Sequence, residues 1–170
     1  MDPDVERQFR DFVAARSAGL YRVACLLTGD HGQAEDLLQD VLAKVALRWH
    51  RIRQDPEAYA RRALYHDQVS RWRRSSWGRE TPTAVVPERA DVRDPAADTD
   101  LRLALAAALR RLAPRQRAVL VLRFYEDLSE REAAGLLDVS VGTIRSSTSR
   151  GLTRLRSLCP DLDLTREAPR

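Results

Sequence analysis

The stretch "LSEREAAGLLDVSVGTIRSSTSRGLTRLR", residues 128–156, decides the fold. Ser129 and Glu132 have the spacing of a capping box and start a short helix that runs to about Leu137. Asp138 tolerates a left-handed backbone, and Ser140 is placed to cap a second helix. Ala133, Leu137, Val139, Ile144 and Leu152 are spaced to pack the two helices across that turn, which predicts a helix-turn-helix. The outer face of the second helix then carries Thr143, Arg145, Ser146, Ser147, Ser149 and Arg150. Short hydroxyl side chains and unbalanced arginines suit a solvated helix poorly. They suit a helix in the DNA major groove, where arginine pairs with guanine and serine meets several base edges. Arg154 and Arg156, with Arg115 and Arg117 upstream, are candidates for holding phosphates.

Upstream of that stretch, "LRLALAAALRRL" (101–112) and "PRQRAVLVLRFYED" (114–127) read as amphipathic helices, the second with proline in its first turn. Residues 75–100, "SSWGRETPTAVVPERADVRDPAADTD", hold three prolines and a glycine without a sustained period, so they read as a linker. Before the linker the 3.6-residue period returns. A first helix over about 4–27 should bury Phe9, Phe12, Val13, Leu20, Val23 and Leu27, with "TGD" ending it. In a second, Asp30 caps the start with Gln33 three residues on, and Leu37, Leu38, Val41, Leu42 and Val45 form the apolar face through Trp49. Asp55 and Pro56 open a third that runs to about Ser75. The expected architecture is all-α: two small helical domains, 1–76 and 101–158, joined by a flexible linker over 77–100 and followed by a tail, 159–170.

The charge is distributed unevenly. Residues 1–74 carry 13 basic and 11 acidic groups, 75–100 carry 3 and 6, 101–157 carry 11 and 5, and 158–170 carry 2 and 3. A net +6 on the third segment points to a polyanionic partner, and a net −3 on the second points to a segment kept off it. Cys25 and Cys159 are too far apart and too unlike in context for a disulfide framework or zinc site, and Cys25 reads as a small packing residue. His31, His50 and His66 match no metal or triad spacing, and no glycine-rich phosphate loop is present. We expect no catalytic residues, no cofactor, no metal and no small-molecule substrate. The acidic start "MDPDVERQF" and the lack of any run of about 20 apolar residues give no reason to expect a membrane partner, so the expected location is the cytoplasm.

"AYARRALYHDQVSRWRR", residues 58–74, threads aromatic rings among arginines. At about 100° per residue, Ala58, Tyr65, Val69 and Trp72 form one strip, expected to be buried. Tyr59, Arg62, His66 and Arg73 form a second. Alternating ring and cation is of no use to a core. It fits either an amphipathic helix with an arginine-rich solvated face or a surface for single-stranded nucleic acid, whose bases stack on rings while guanidinium groups hold phosphates.

Taken in order, these segments resemble bacterial sigma factors. "AEDLLQDVLAKVALRW" (34–49) resembles their second conserved segment, 58–74 the promoter-melting segment, and "LAPRQRAVLVLRFYEDLSEREAAGLLDVSVGTIRSSTSRGLTRLR" (112–156) their C-terminal domain. With two domains and nothing further between them, the chain is similar to the extracytoplasmic-function (ECF) group, and "SVGTIRSSTSRGLTRLR" to its actinobacterial SigE-like subfamily.

The resemblance implies partners: promoter DNA and core RNA polymerase, through the clamp helices of its largest subunit and the flap of its second-largest. It also admits an anti-sigma factor. Glu35, Asp36, Gln39 and Asp40 match the surface that docks on the clamp helices. Tyr59, Arg62, His66, Asp67 and Ser70 match the region that captures an unpaired base of the −10 element, with Arg71, Arg73 and Arg74 gripping the adjacent backbone. Thr143, Arg145, Ser146, Ser147, Ser149, Arg150 and Arg154 match the −35-reading surface. His66 stands where many members have asparagine, and Ser147 and Thr148 where arginine and an aliphatic residue are common. The residues alone leave two other readings open. One is a helix-turn-helix regulator that is not a polymerase subunit, and the other is an anti-sigma or adaptor protein.

Overall fold

The computed structural model describes residues 3–52, 55–76 and 99–160, with the side chains of 73–76 and 99–102 excepted. Every regular element among them is a helix, and the chain divides into two compact units, Met1–Ser75 and Ser76–Arg170. The expected linker up to residue 98, the tail from 161, and the side chains of Arg73 and Arg74 lie outside the described residues.

In the first unit, α1 (Pro3–Thr28) and α2 (His31–Arg48) form a helical hairpin. Gly29 closes α1 at φ 73°, and its N–H donates to Cys25 O at 2.8 Å, the left-handed helix end that glycine adopts without strain. Asp30 then caps α2, its Oδ1 accepting from Gln33 N–H at 2.8 Å. Beside this turn Tyr21 Oη and His31 Nδ1 are 3.0 Å apart. Burial first, and then the neighbouring Cys25, push the Tyr21 phenol up to about 12; burial also raises the Cys25 thiol.

Leu20, Val23, Leu27, Leu37, Val41 and Val45 are fully buried between the two helices, each stabilising by roughly 1.5–3 kcal/mol on transfer from water. Phe9, Phe12 and Val13, expected in the core, are only partly buried. The reason is length: α1 has 26 residues against 18 in α2, so its first turns overhang the hairpin. There Trp49, in a short 3₁₀ turn (Trp49–Arg51), packs on both rings, with centroids 5.3 Å from Phe9 and 5.2 Å from Phe12. Leu38 and Leu42 flank the buried line of α2 and are likewise partly buried.

Asp55 caps α3 (Pro56–Ser76) by accepting from Ala58 N–H at 2.9 Å. Its buried line is Ala60, Leu64, Tyr65 and Gln68, which corrects the expected strip: Tyr65 belongs to it, whereas Ala58, Val69 and Trp72 are only partly buried. Gln68 carries the line one turn further with a polar side chain, and apolar periodicity passes over it.

In the second unit, α4 (Thr99–Arg110) begins two residues inside the expected linker. α5 (Pro114–Leu120) does not continue as one regular helix to 127; it widens into a π turn over Val121–Tyr125, where Glu126 N–H reaches Val121 O at 3.0 Å. Residues 117 to 123 are all buried, more than one face of a regular helix can offer. The wide turn accommodates them and ends at Asp127, φ 53°, leaving Phe124 and Tyr125 exposed.

The helix-turn-helix follows as α6 (Glu130–Leu137) and α7 (Val141–Leu158). Both halves of the Ser129–Glu132 capping box form, and hydrogen bonds from Ser129 hold the Glu132 carboxyl below the usual range. Asp138 is left-handed at φ 54°, and Ser140 Oγ accepts from Thr143 N–H at 3.1 Å. Ala133, Leu137 and Ile144 are buried as the spacing predicts, with Val139 and Leu152 partly so. Gly151 lets α7 approach α5 closely, since a Cβ there would stand 3.2 Å from Leu120 Cγ and Cδ1.

Candidate nucleic-acid interfaces

α7 leaves its capped start with Ile144, Ser147, Gly151 and Leu155 facing inward. Arg145, Ser146, Ser149, Arg150 and Arg154 face outward and are exposed. Ser147 was expected among them, but it is buried at 9% exposure, one turn from both Ile144 and Gly151, so it cannot contact a ligand lying on that face. Thr143 is partly buried and 2.9 Å from Ser140 Oγ, which makes it part of the cap. Ser146 Oγ donates to Thr143 O at 3.1 Å, and Arg145 Nε donates to Glu130 Oε2 at 2.7 Å.

Of the upstream arginines, Arg115 is exposed but Arg117 is buried and donates to Arg110 O at 3.3 Å. Loss of water, and then the charge of Arg110, push its guanidinium down to about 10, so it is still charged at neutral pH. Arg117 closes the end of α4 and is not a surface cation. This corrects its expected phosphate role. Arg123 is buried likewise and donates to Leu128 O.

In the first unit Arg62, His66 and Ser70 are exposed along α3, and Arg48 Nη1 donates to the Tyr59 hydroxyl at 3.0 Å. Asp67 and Arg71 are tied to α2: Lys44 Nζ donates to both Asp67 carboxylate oxygens at 2.6 Å, and Arg71 Nη2 to Asp40 Oδ2 at 2.7 Å. Glu35, Asp36, Gln39 and Asp40 are exposed on α2, and Leu47, seven residues beyond Asp40 and so on the same side, is 79% exposed.

Sequence reasoning passed over Leu47, Lys44 and Glu130. Leu47 was detectable as a leucine off the Leu37–Val41–Val45 line. Lys44 is the only lysine, and Glu130 stands between the two capping-box residues Ser129 and Glu132. Among the described residues no cluster of side chains could hold a metal ion, and no helix is long and apolar enough to cross a membrane.

Residues 12–78 match the family of Sigma-70 region 2, and residues 102–155 that of Sigma-70, region 4. The chain is 38% identical to an RNA polymerase sigma-E factor of Streptomyces coelicolor over 162 residues, 92% of this chain and 89% of that one. It is 31% identical to the ECF RNA polymerase sigma factor SigL of Mycobacterium tuberculosis over 157 residues, 88% of each. Among solved structures it is similar to the sigma factor RpoE of Bartonella quintana, seen in complex with the anti-sigma factor NepR. That match has a TM-score of 0.68 and 25% identity, over 91% of this chain and 98% of that one.

Proposed function

The chain belongs to the sigma-70 family of RNA polymerase sigma factors, and on that premise we propose that its two units hold promoter DNA in different states. It is an ECF sigma factor that binds core polymerase and recognises promoters. The α7 face reads the paired −35 element. Arg145 addresses a base edge, Ser146 and Ser149 let the helix come close, and Arg150 and Arg154 hold phosphates.

The α3 face takes the −10 element once its strands part. Flipping a base costs a few kcal/mol, and stacking returns roughly 1–3 kcal/mol per base, so a surface of rings and cations shifts the balance toward the open form. Tyr59 and His66 supply rings, Arg62 and Arg71 cations, and Ser70 a hydroxyl. The exposed strip Glu35–Asp36–Gln39–Asp40, extended by Leu47, docks on the polymerase. The polymerase performs the chemistry, in the cytoplasm, and this chain contributes recognition. An anti-sigma factor is a fitting regulator, because the similar RpoE is bound by one.

The observation that carries this reading is the exposed face of α7, arginine and serine without an acidic residue, on a helix whose start is fixed by a capped turn. The test is reconstitution of the purified chain with core polymerase on a matched promoter. Specific run-off transcripts are expected; duplex binding without transcripts would make the chain a regulator outside the polymerase.

A further inference from the structure

The pair Glu130–Arg145 joins the first residue of α6 to the outer face of α7, with Nε 2.7 Å from Oε2. We infer that Glu130 is a positioning residue that makes Arg145 the base-reading arginine of this helix-turn-helix. The inference rests on α7 being the helix that reads duplex DNA.

Both side chains leave from fixed points. Glu130 directly follows the capping-box serine, Arg145 lies in the second turn of a helix capped by Ser140, and the left-handed turn at Asp138 sets the angle between them. A guanidinium has five N–H donors in a planar fork. Holding Nε on the Glu130 carboxylate leaves the two terminal nitrogens free, and two parallel N–H groups are what guanine O6 and N7 accept. The Arg145 side chain remains 70% exposed while paired, so that end is open to a ligand. An otherwise mobile side chain is thereby ordered before DNA arrives, which lowers the entropic cost of a bidentate contact.

The charge of Glu130 matters as much as its reach. A phosphate approaching Arg145 meets a carboxylate beside the cation, whereas a neutral base edge meets far less repulsion. Glu130 therefore steers Arg145 from backbone contact to base contact. Among the described residues Arg150 and Arg154, on the same helix, have no carboxylate partner, which suits them to phosphates.

The experiment uses the full chain bound to core polymerase and a pool of duplexes with a randomised window upstream of a pre-opened bubble. Captured DNA is sequenced for wild type, Arg145→Ala, Glu130→Gln, Glu130→Asp and the Arg145→Ala/Glu130→Gln double variant, with thermal unfolding as the folding control. Wild type should prefer guanine at one position, and Arg145→Ala should erase that preference. Glu130→Gln should weaken it about fivefold, the lower end of what a bidentate contact is worth. Glu130→Asp, too short to reach Nε, should do the same, and the double variant should match Arg145→Ala alone.

An unchanged preference in Glu130→Gln would overturn the inference. So would a sharpened preference, because Glu130 would then be hiding Arg145, and so would an equal loss at every position, because the substitution would then only loosen α6. If wild type shows no positional preference, or Arg145→Ala keeps it, the assignment of α7 as the reading helix fails and this inference falls with it.

Discussion

Arg71 Nη2 lies 2.7 Å from Asp40 Oδ2, an ion pair that spans α2 and α3 and links the proposed polymerase-facing strip to the proposed DNA-gripping strip. One turn along, Lys44 holds Asp67 in the same way. Both pairs leave Arg62, His66 and Ser70 free of α2 and exposed.

Arg71→Ala should separate structure from function. The Asp40 side chain is 63% exposed, so the pair contributes less than about 1 kcal/mol to stability. A charged hydrogen bond to a DNA phosphate is worth about 1.5–3 kcal/mol. Urea unfolding should therefore change little while the rate of promoter opening falls about tenfold or more.

Leu47→Asp should leave the fold intact, within about 0.5 kcal/mol, because the side chain is exposed in the free protein. Polymerase affinity should fall at least about tenfold, since an apolar contact worth roughly 1.5–3 kcal/mol is replaced by a charge. Titration of a fluorescently labelled chain with core polymerase measures it.

Arg115 and Arg117 should behave oppositely. Arg117→Ala removes a buried charged donor from the Arg110 carbonyl and should cost about 2 kcal/mol of stability without altering the salt dependence of DNA binding. Arg115→Ala should leave stability alone and, if it holds a phosphate, reduce the slope of log affinity against log salt by about 1.

Glu132 should give the second unit an acid limb. Its carboxyl is held below its unfolded value by Ser129, so its contribution is complete above the usual glutamate range and is lost as pH falls through the lowered folded value. Glu132→Gln keeps the hydrogen-bonding shape of the cap but does not titrate. Thermal unfolding across the acid range should therefore slope less steeply in the variant.

Helices and caps were legible in the sequence because they depend on near neighbours. Ser129 with Glu132, Asp138, Ser140, and Asp55 before Pro56 each act within four residues. What sequence could not supply was set by distant partners. Arg117 reads as a surface cation because nothing nearby marks the carbonyl that it meets once buried, Arg110 O. Ser147 reads as an outer serine until Ile144 and Gly151 fix which side of α7 packs. The links from Asp40 to Arg71, and from Glu130 to Arg145, cross 31 and 15 residues and become visible only once the helices are side by side.

The central claim is that one unit holds unpaired DNA and the other reads paired DNA. It is tested most directly by 2-aminopurine fluorescence at the −10 position, measured beside −35 duplex binding, in polymerase reconstituted with Arg62→Ala/His66→Ala or with Arg145→Ala. The first variant should lose the unstacking signal with duplex binding nearly intact, and the second should lose duplex binding first. Equal loss of both signals in both variants, with the proteins still folded, would contradict the account.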